Sequence, residues 1–398
     1  MRTLYCDVCV VGGGSGGIGA ALGAAGEGAS VILLERNQIL GGTVTMSWVH
    51  TWEPVCGASS LCRKIWDRMR SQPFGASDTD YDLSSSRLGP DGQRNPPLPF
   101  EAWAFQKAVD EEFAETGVTV LTGADFSACT GDGRRLKNVV AVCASENIEV
   151  RARAFIDSTA DIVVARAAGC SYTIGAEAKS EFDEPHAPVK ADAKALNQAN
   201  WCYRVRPGCR LPEAYTRITF PEEAIRPSRF EVTLPNGDIL VNPCGMLVAD
   251  PASPEDFAAA VRRAWILAGE IHRWTVQDGG CPDRALIGLA PQIGIRESYR
   301  LKGAYILTEN DILDGRMTFP DLISTCDHPL DLHGGIGMEL TRAYGIPLAC
   351  LQTKEYDNIF VACRGASFSH IAASSCRLSR TIMTLGEAAG VAAAKLRS

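Results

Sequence analysis

One segment limits the architectures open to this chain more than any other. Cys6-Asp-Val-Cys-Val-Val11 is a short valine-rich apolar run, the pattern of a strand buried on both faces. Gly12-Gly-Gly-Ser-Gly-Gly17 follows at once, then the small apolar stretch Ile18–Ala25, then a second apolar run, Ser30–Leu34, closed by Glu35. Gly12, Gly14 and Gly17 stand in G-x-G-x-x-G register, and Glu35 lies 21 residues beyond Gly14. Gly12 permits a tight turn, Gly14 the approach of the backbone to a pyrophosphate, and Gly17 close packing of helix on strand. Ser15 and Gly16 open the helix, whose free N–H groups and positive dipole end suit phosphate. Glu35 is placed to accept hydrogen bonds from a ribose diol. Strand, glycine turn, helix, strand and acid together predict a dinucleotide crevice.

The rest of the chain is large enough for two or three domains, since 398 residues are available at about 150 per domain. Its net charge is −8, and no basic stripe concentrates the opposite sign, which argues against a nucleic-acid groove or an anionic membrane surface. No stretch reaches the roughly 20 apolar residues of a membrane span. Met1-Arg2 runs straight into a strand pattern, so we expect no secretory leader and a cytoplasmic location. The 15 cysteines are scattered and odd in number, and read as small buried hydrophobes. Cys6 and Cys9 have redox spacing, but residues three apart on a strand face opposite ways, so both read as core thiols.

Residues 71–99 are rich in Ser, Asp, Gly and Pro and read as a surface insertion or a lid. Phe100–Thr116 has the period of an amphipathic helix anchored by Trp103, Val109 and Phe113, and Gly117–Leu121 reads as a strand. Alternation around 139–142 and 148–150 suggests a hairpin or meander. Ala154–Asp161 is a strand entering a small-residue turn, where Asp161 is placed to bond a ligand and Ser158 or Thr159 to cap a helix over 162–168. Short strands near 201–206, 215–220, 229–234 and 238–242, and a helix over Pro254–Gln277 capped by Ser253, suggest a second domain on an antiparallel sheet. Asn358–Cys363 is a further buried strand. It leads through Arg364–His370 into a small-residue helix from about Ser375 to Lys395, which must lie tightly against a neighbour.

Glu35-Arg36 is followed by a second glycine pair in Leu40-Gly41-Gly42-Thr43, an arrangement that resembles FAD proteins of the glutathione-reductase superfamily. The resemblance to FAD-dependent oxidoreductases of this type also covers Val11–Gly19, Ile156–Gly169, Gly294–Gly303, Asp331–His333, Gly345–Pro347 and Asn358–Ala394, nearly the whole chain in family order. It implies an α/β, Rossmann-like FAD-binding domain, a parallel sheet plus β-meander, made from residues 1–175 and 340–398. An α+β substrate or cap domain, 176–339, would interrupt it on an antiparallel sheet. The resemblance further implies that Gly12, Gly14, Gly17, Glu35, Arg36, Gly42, Thr43, Asp161 and Arg364 lie along FAD, with the start of the last helix facing the flavin.

Three positions depart from the family. Cys363 stands in Ala362-Cys363-Arg364 where Ala-Gly-Arg is usual, Ser374 where Gly is frequent, and Cys376 where Thr or Ser is found, the last two near the expected flavin ring. The Gly-Asp pair of aromatic hydroxylases is missing after the late strand, which argues against a monooxygenase. No second G-x-G-x-x-G with flanking strands suggests an NAD(P)H domain.

On this resemblance FAD would carry the hydride chemistry, and the protein would have to hold a substrate C–H and manage one proton. Of the six histidines, His50 and His370 fall in the expected flavin loops and are our candidates for the proton. Arg296 either grips the substrate or pairs with Glu297, and Arg377 either clamps the substrate or anchors a flavin loop. His328 and His333 flank Asp331 in what reads as a structural or substrate-lining loop, not a metal site. Trp201, Tyr203 and Arg204 read as cavity lining or as core. The expected function is hydride transfer between a small polar organic molecule and FAD, with the electron acceptor open. A flavin-dependent isomerase or lyase without net redox is the alternative. A nucleic-acid-modifying flavoprotein is disfavoured by the acidic balance.

Overall fold

The computed structural model describes residues 1–79, 86–89, 91–209, 229–243, 245 and 253–396. The expected strand near 215–220 and part of the 71–99 segment lie outside them.

The opening βαβ unit forms as its pattern dictates. Strand β1 (Arg2–Val11) pairs in parallel with β2 (Val31–Glu35), Val8 opposite Val31 and Val11 opposite Leu34. Helix α1 (Ser15–Gly26) connects them, and its residues from Ser15 to Ala24 are buried. These strands sit at the heart of a seven-stranded sheet. Beyond β2 comes Thr119–Thr122, also parallel. On the other side of β1 lies Glu146–Asp157, parallel to it from Arg2↔Ile148 to Val11↔Asp157. The outer edge of that long strand is shared. Its first half pairs antiparallel with Arg135–Cys143, and its last residues pair in parallel with Ile359–Val361. The strand Ala124–Asp132 completes a three-stranded meander that the alternation near 139–150 indicates only in part.

The terminal helix Ser379–Ala394 packs on α1, and glycine makes the contact possible. A Cβ on Gly386 would stand 2.0 Å from the Gly16 carbonyl oxygen, and one on Gly390 would stand 2.1 Å from that of Ala20. Matching contacts at both glycines mean that the helices run parallel. From Ser379 to Gly386 at 1.5 Å per residue, the terminal helix begins about 10 Å before the level of Gly16. The expected single helix from 375 is two: His370–Cys376, then Arg377 and Leu378 in between, then Ser379–Ala394.

A second sheet is antiparallel, in the order Arg229–Thr233, Ile239–Pro243, Tyr203–Arg206, Ala285–Leu289. The helix Pro254–Gln277, whose Asp256 N–H donates to the Ser253 side chain, packs on it around a separate apolar core that includes Trp201, Tyr203, Ala264 and Ile271. Helix Ala102–Thr116 corrects one expectation, because Trp103 is 49% exposed. Val109 and Phe113 are buried as expected, and Phe105 takes the place of Trp103 on their face, at i, i+4 and i+8. Among the described residues no helix is long and apolar enough to cross a membrane.

Candidate active site

A cleft of about 1060 Å³ runs from the glycine turn, past the second glycine pair, to the edge of the second sheet. Its walls combine the first 50 residues, the 158–164 turn, the last 40 residues and segments near 200, 230–242, 291–296 and 328–339. It adjoins a smaller, mainly apolar chamber of about 310 Å³ under the helix Pro254–Gln277.

At one end the wall is backbone. Gly12 has φ +101° and no room for a Cβ, which would lie 2.4 Å from the Ser158 carbonyl. Cβ atoms on Gly16 and Gly17 would each stand 1.8 Å from a carbonyl oxygen, those of Ala362 and Gly12. Gly14 differs: no protein atom lies within 4 Å of where its Cβ would be, and it borders the cleft. Gly14 is also the N-cap of α1 and supplies no side-chain cap, so the first N–H groups of the helix face the cleft region with a positive dipole end. Glu35 braces this turn, since its Oε2 accepts from Gly13 N at 2.6 Å and its Oε1 from Asn37 N and Nδ2 at 2.7 Å. The second glycine pair reaches the first: Gly41 N donates to the Gly13 carbonyl at 2.8 Å, and Gly42, at φ +55°, precedes α2 (Thr43–Met46). Gly12, Gly14, Ser15, Gly16, Glu35, Arg36, Gly42 and Thr43 all border the cleft, while Gly17 sits behind it against the strand.

The 157–162 turn forms the middle of the wall. Asp157, fully buried, accepts from Thr159 N and Oγ1 and from Ala165 N, which shapes the turn; burial pushes its carboxyl pKa up. The next helix (Val163–Ala167) has Ile162, not Ser158 or Thr159, at its N-cap; Thr159 Oγ1 accepts from Val163 N at 2.9 Å, and Ser158 Oγ donates to the Ala362 carbonyl. Ala160 and Ile162 on either side of Asp161 have left-handed φ values of 69° and 47°. Such a conformation costs a non-glycine residue about 1–3 kcal/mol and persists where surrounding structure imposes it. Here it holds Asp161 in the cleft, where its Oδ1 accepts from Arg364 Nη2 at 2.7 Å and Ser298 Oγ at 2.6 Å. Arg364 Nε is buried with no hydrogen-bond partner, a donor left over at the cleft wall.

The far end is built of long side chains from separate segments. Arg377, at the break between the last two helices, donates from Nη2 to Asp331 Oδ2 at 3.1 Å and to the Asp331 carbonyl at 3.3 Å. Burial, and next the charge of Arg296, bring the Arg377 pKa down to about 10. Arg296 donates to the Gln198 carbonyl at 2.6 Å. Glu297 turns to Arg300 and to His370 Nδ1, at 2.9 Å for the latter, in place of the expected pair with Arg296. His333 Nε2 lies 3.1 Å from Asp331 Oδ2. Despite its burial, Asp331 is held well below the usual carboxylate range by His333 and Arg377. His328 borders the cleft with its Nδ1–H on the Pro329 carbonyl, and burial pushes its pKa down to about 3.

The structure therefore gathers Arg296, Arg377, Asp161 and Arg364 along one wall but not the two favoured histidines. His50 lies behind the wall, 2% exposed, its Nδ1–H on the Phe100 carbonyl and its pKa lowered by burial to about 4. His370 is buried as the first residue of its helix, its backbone N–H on Glu177 and its ring on Glu297. Ser374 and Cys376 do not border the cleft either; Ser374 Oγ accepts from Asp331 N at 3.1 Å. Trp201 lines the cleft, whereas Tyr203 is core and Arg204 pairs with Glu101 and Asp238. Arg87 and Arg94 bring the 71–99 segment to the mouth, where both meet Glu339. Residues that sequence reasoning does not single out include Asp125 and Phe126, on the unexpected meander strand, and Asn200, all at the cleft, and Ser298, which lines the smaller chamber and bonds Asp161.

A family model for FAD dependent oxidoreductases matches residues 7–396. The chain belongs to that family. Its cofactor is FAD, and it is an oxidoreductase. The wall suits that cofactor: an uncapped helix start and an open Gly14 for the diphosphate, and a partnerless buried Arg364 Nε beside Asp161 farther along. A curated relative, 4-oxocyclohex-2-ene-1-carboxylate 5-dehydrogenase of Sinomonas cyclohexanicum, is 49% identical over 53 residues, 13% of this chain and 9% of that protein. Among solved structures, a geranylgeranyl bacteriochlorophyll reductase-like protein of Thermoplasma acidophilum is 16% identical with a TM-score of 0.45, covering 74% of this chain and 67% of its own. A myxobacterial chondrochloren halogenase gives 16% and 0.44 over 76% and 66%. The p-nitrophenol 4-monooxygenase of Pseudomonas putida DLL-E4 gives 14% and 0.40 over 77% and 70%. Membership rests on the family model, not on these distant folds.

Proposed function

We propose that this oxidoreductase transfers a hydride between FAD and a carbon of a small polar organic molecule, as a dehydrogenase or oxidase of glutathione-reductase type. In this reading residues 1–175 and 340–398 hold the cofactor, and 176–339 carry the substrate unit. The observation that carries it is the convergence of Arg296, Arg377 and the Asp331–His333 pair at the end of the cleft away from the phosphate turn. FAD, when bound, supplies the two-electron acceptor or donor. The chain supplies position and a proton. Arg296 and Arg377 hold the substrate's polar group. His333 takes or gives the proton at its imidazole, with Asp331 on Nε2 to stabilise the protonated ring, as a carboxylate orients an acid–base histidine. His333 thus takes the role that the sequence suggests for His50 and His370, because those two do not border the cleft. The name of the short-matching relative, a dehydrogenase, agrees with the reading.

The test is anaerobic exposure of the purified holoprotein to panels of hydroxy acids, ketones, sugars and amines. Loss of visible flavin absorbance with one class, slowed in His333→Gln, is the expected result. A flavin that stays oxidised throughout, while a substrate is steadily converted without any acceptor, would replace this reading by a non-redox one.

A further inference from the structure

We propose that the substrate carries a carboxylate, and that Arg296 and Arg377 together seat it at the far end of the cleft. The proposal rests on the redox reading for the word substrate, but on different atoms for its support. Two guanidiniums from distant segments border the same stretch of wall, each pinned from the protein side, Arg296 by the Gln198 carbonyl and Arg377 by Asp331. The two sites are joined: Asn197 Nδ2 donates at 3.0 Å to the Asp331 carbonyl that Arg377 also bonds, and the next residue, Gln198, holds Arg296. Consistent with this, the charge of Arg296 lowers the Arg377 pKa. Arg377 Nε is buried with no hydrogen-bond partner. Like charges held together at a cleft wall are relieved by an anion between them.

Three carboxylates near the pair have partners of their own. Asp161 lies on Arg364, Glu297 on Arg300 and His370, and Asp331 is shared between Arg377 and His333. The cofactor's diphosphate is not the anion we assign here. Arg377 precedes a helix that begins about 10 Å before the level of Gly16, well past the phosphate turn. A planar carboxylate suits two pre-oriented planar forks, and its single charge offsets what Asp331, bound to Arg377 and His333, leaves of the two guanidiniums.

The experiment is calorimetric titration of the oxidised holoprotein with benzoate, cyclohexanecarboxylate and succinate, against benzamide and phenyl phosphate as matched probes. At least one carboxylate should bind, and its amide should bind about 10- to 100-fold more weakly, the range of a charge-assisted contact. Arg296→Gln and Arg377→Gln should each abolish that preference, and Arg296→Lys should retain part of it. Bound flavin and the far-ultraviolet spectrum confirm that each variant is folded; if Arg377→Gln does not fold, the two Arg296 variants decide. Binding by no carboxylate, equal binding of benzoate and benzamide, tighter binding of phenyl phosphate, or a preference unchanged in both arginine variants would overturn the proposal. Failure of the redox reading looks different: carboxylates bind in an arginine-dependent way but no member of the wider panel reduces the flavin.

Discussion

At the phosphate end of the cleft the wall is main chain: Gly12 to Gly17 and Gly41 to Thr43, two turns that touch through one backbone hydrogen bond and are braced by Glu35. At the far end it is side chain: Arg296, Asp331, His333 and Arg377, brought from three loops that are tens of residues apart. At the first end Gly12, Gly16 and Gly17 tolerate no added atom, because a carbonyl oxygen stands 1.8–2.4 Å from where each Cβ would lie, whereas Gly14 is open. The second has the freedom of long side chains, held by ion pairs. Substitutions at the two ends should therefore fail in different ways.

The largest effect should come from Gly16 and Gly17. Gly17→Ala or Gly16→Val drives a carbon into a backbone oxygen, which overpacking data put at about 1–3 kcal/mol or more. We expect a lower Tm of the apoprotein together with loss of FAD. Gly14→Ala sharpens the contrast, since its methyl meets no protein atom. Apoprotein stability should stay within about 0.5 kcal/mol, while the Kd for FAD rises about tenfold or more. A Gly14→Ala apoprotein as unstable as Gly17→Ala would break the assignment of Gly14 to the cofactor rather than to the fold.

The next effect is on pH. His328 at the far end and His50 behind the wall both have folded-state pKa values lowered by burial, to about 3 and about 4. An unfolded histidine takes up its proton near pH 6.5, so acid favours the unfolded chain. Their stabilising contribution is complete above pH 6.5 and falls as the pH drops toward 4, by up to about 1.4 kcal/mol per pH unit for each. Asp331 has the opposite sign of charge and a depressed pKa, so its contribution is complete above the ordinary carboxylate range and is lost as the pH falls through and below that range. Denaturation midpoints of the protein and of His50→Gln and His328→Gln, from pH 6.5 to 4.5, check this. Each variant should show a flatter slope, and slopes identical to the parent would remove the burial argument.

A smaller change is expected from Arg364→Met, which leaves Asp161 with Ser298 alone. Asp161 is 39% exposed at its side chain, so the pair is partly screened and about 1 kcal/mol of stability is at stake. Retention of FAD should suffer more than Tm, which flavin released on dilution would report.

The same contrast explains which parts of the cleft are legible in the amino-acid sequence. The phosphate end is a run of consecutive residues whose roles follow from backbone sterics, so Gly12, Gly14, Glu35 and Gly42 can be read at their positions. Asp161 can be read from its small-residue turn and Arg364 only through resemblance; their pairing is not legible, because it spans two hundred residues of chain that local pattern does not bridge. The far end has no such period. His50 follows the second glycine pair and so points to the flavin loop in the sequence, but the chain turns there and Phe100 takes the ring. His333 reads as part of a loop, and that loop is the wall. Trp103 misleads for a related reason: a hydrophobic side chain at a helix start looks like an anchor, while the face that packs is set by Phe105, Val109 and Phe113.

The smallest effect belongs to the 157–162 turn, which stands between the two regimes. Ala160 holds φ 69°, a conformation that costs an L-residue about 1–2 kcal/mol relative to glycine. Ala160→Gly removes that strain but gives the unfolded chain more freedom, so net stability should rise by no more than about 1 kcal/mol. If the strain serves only to make the turn, the variant should be slightly more stable and bind FAD unchanged. If it serves to aim Asp161 at Arg364, the variant should be slightly more stable and bind FAD more weakly. We expect the second outcome, with apoprotein Tm and FAD affinity moving in opposite directions, because two left-handed residues flank Asp161 and neither is glycine. Parallel movement of the two quantities would show that this turn behaves like the glycine end of the cleft, where fold and cofactor cannot be separated.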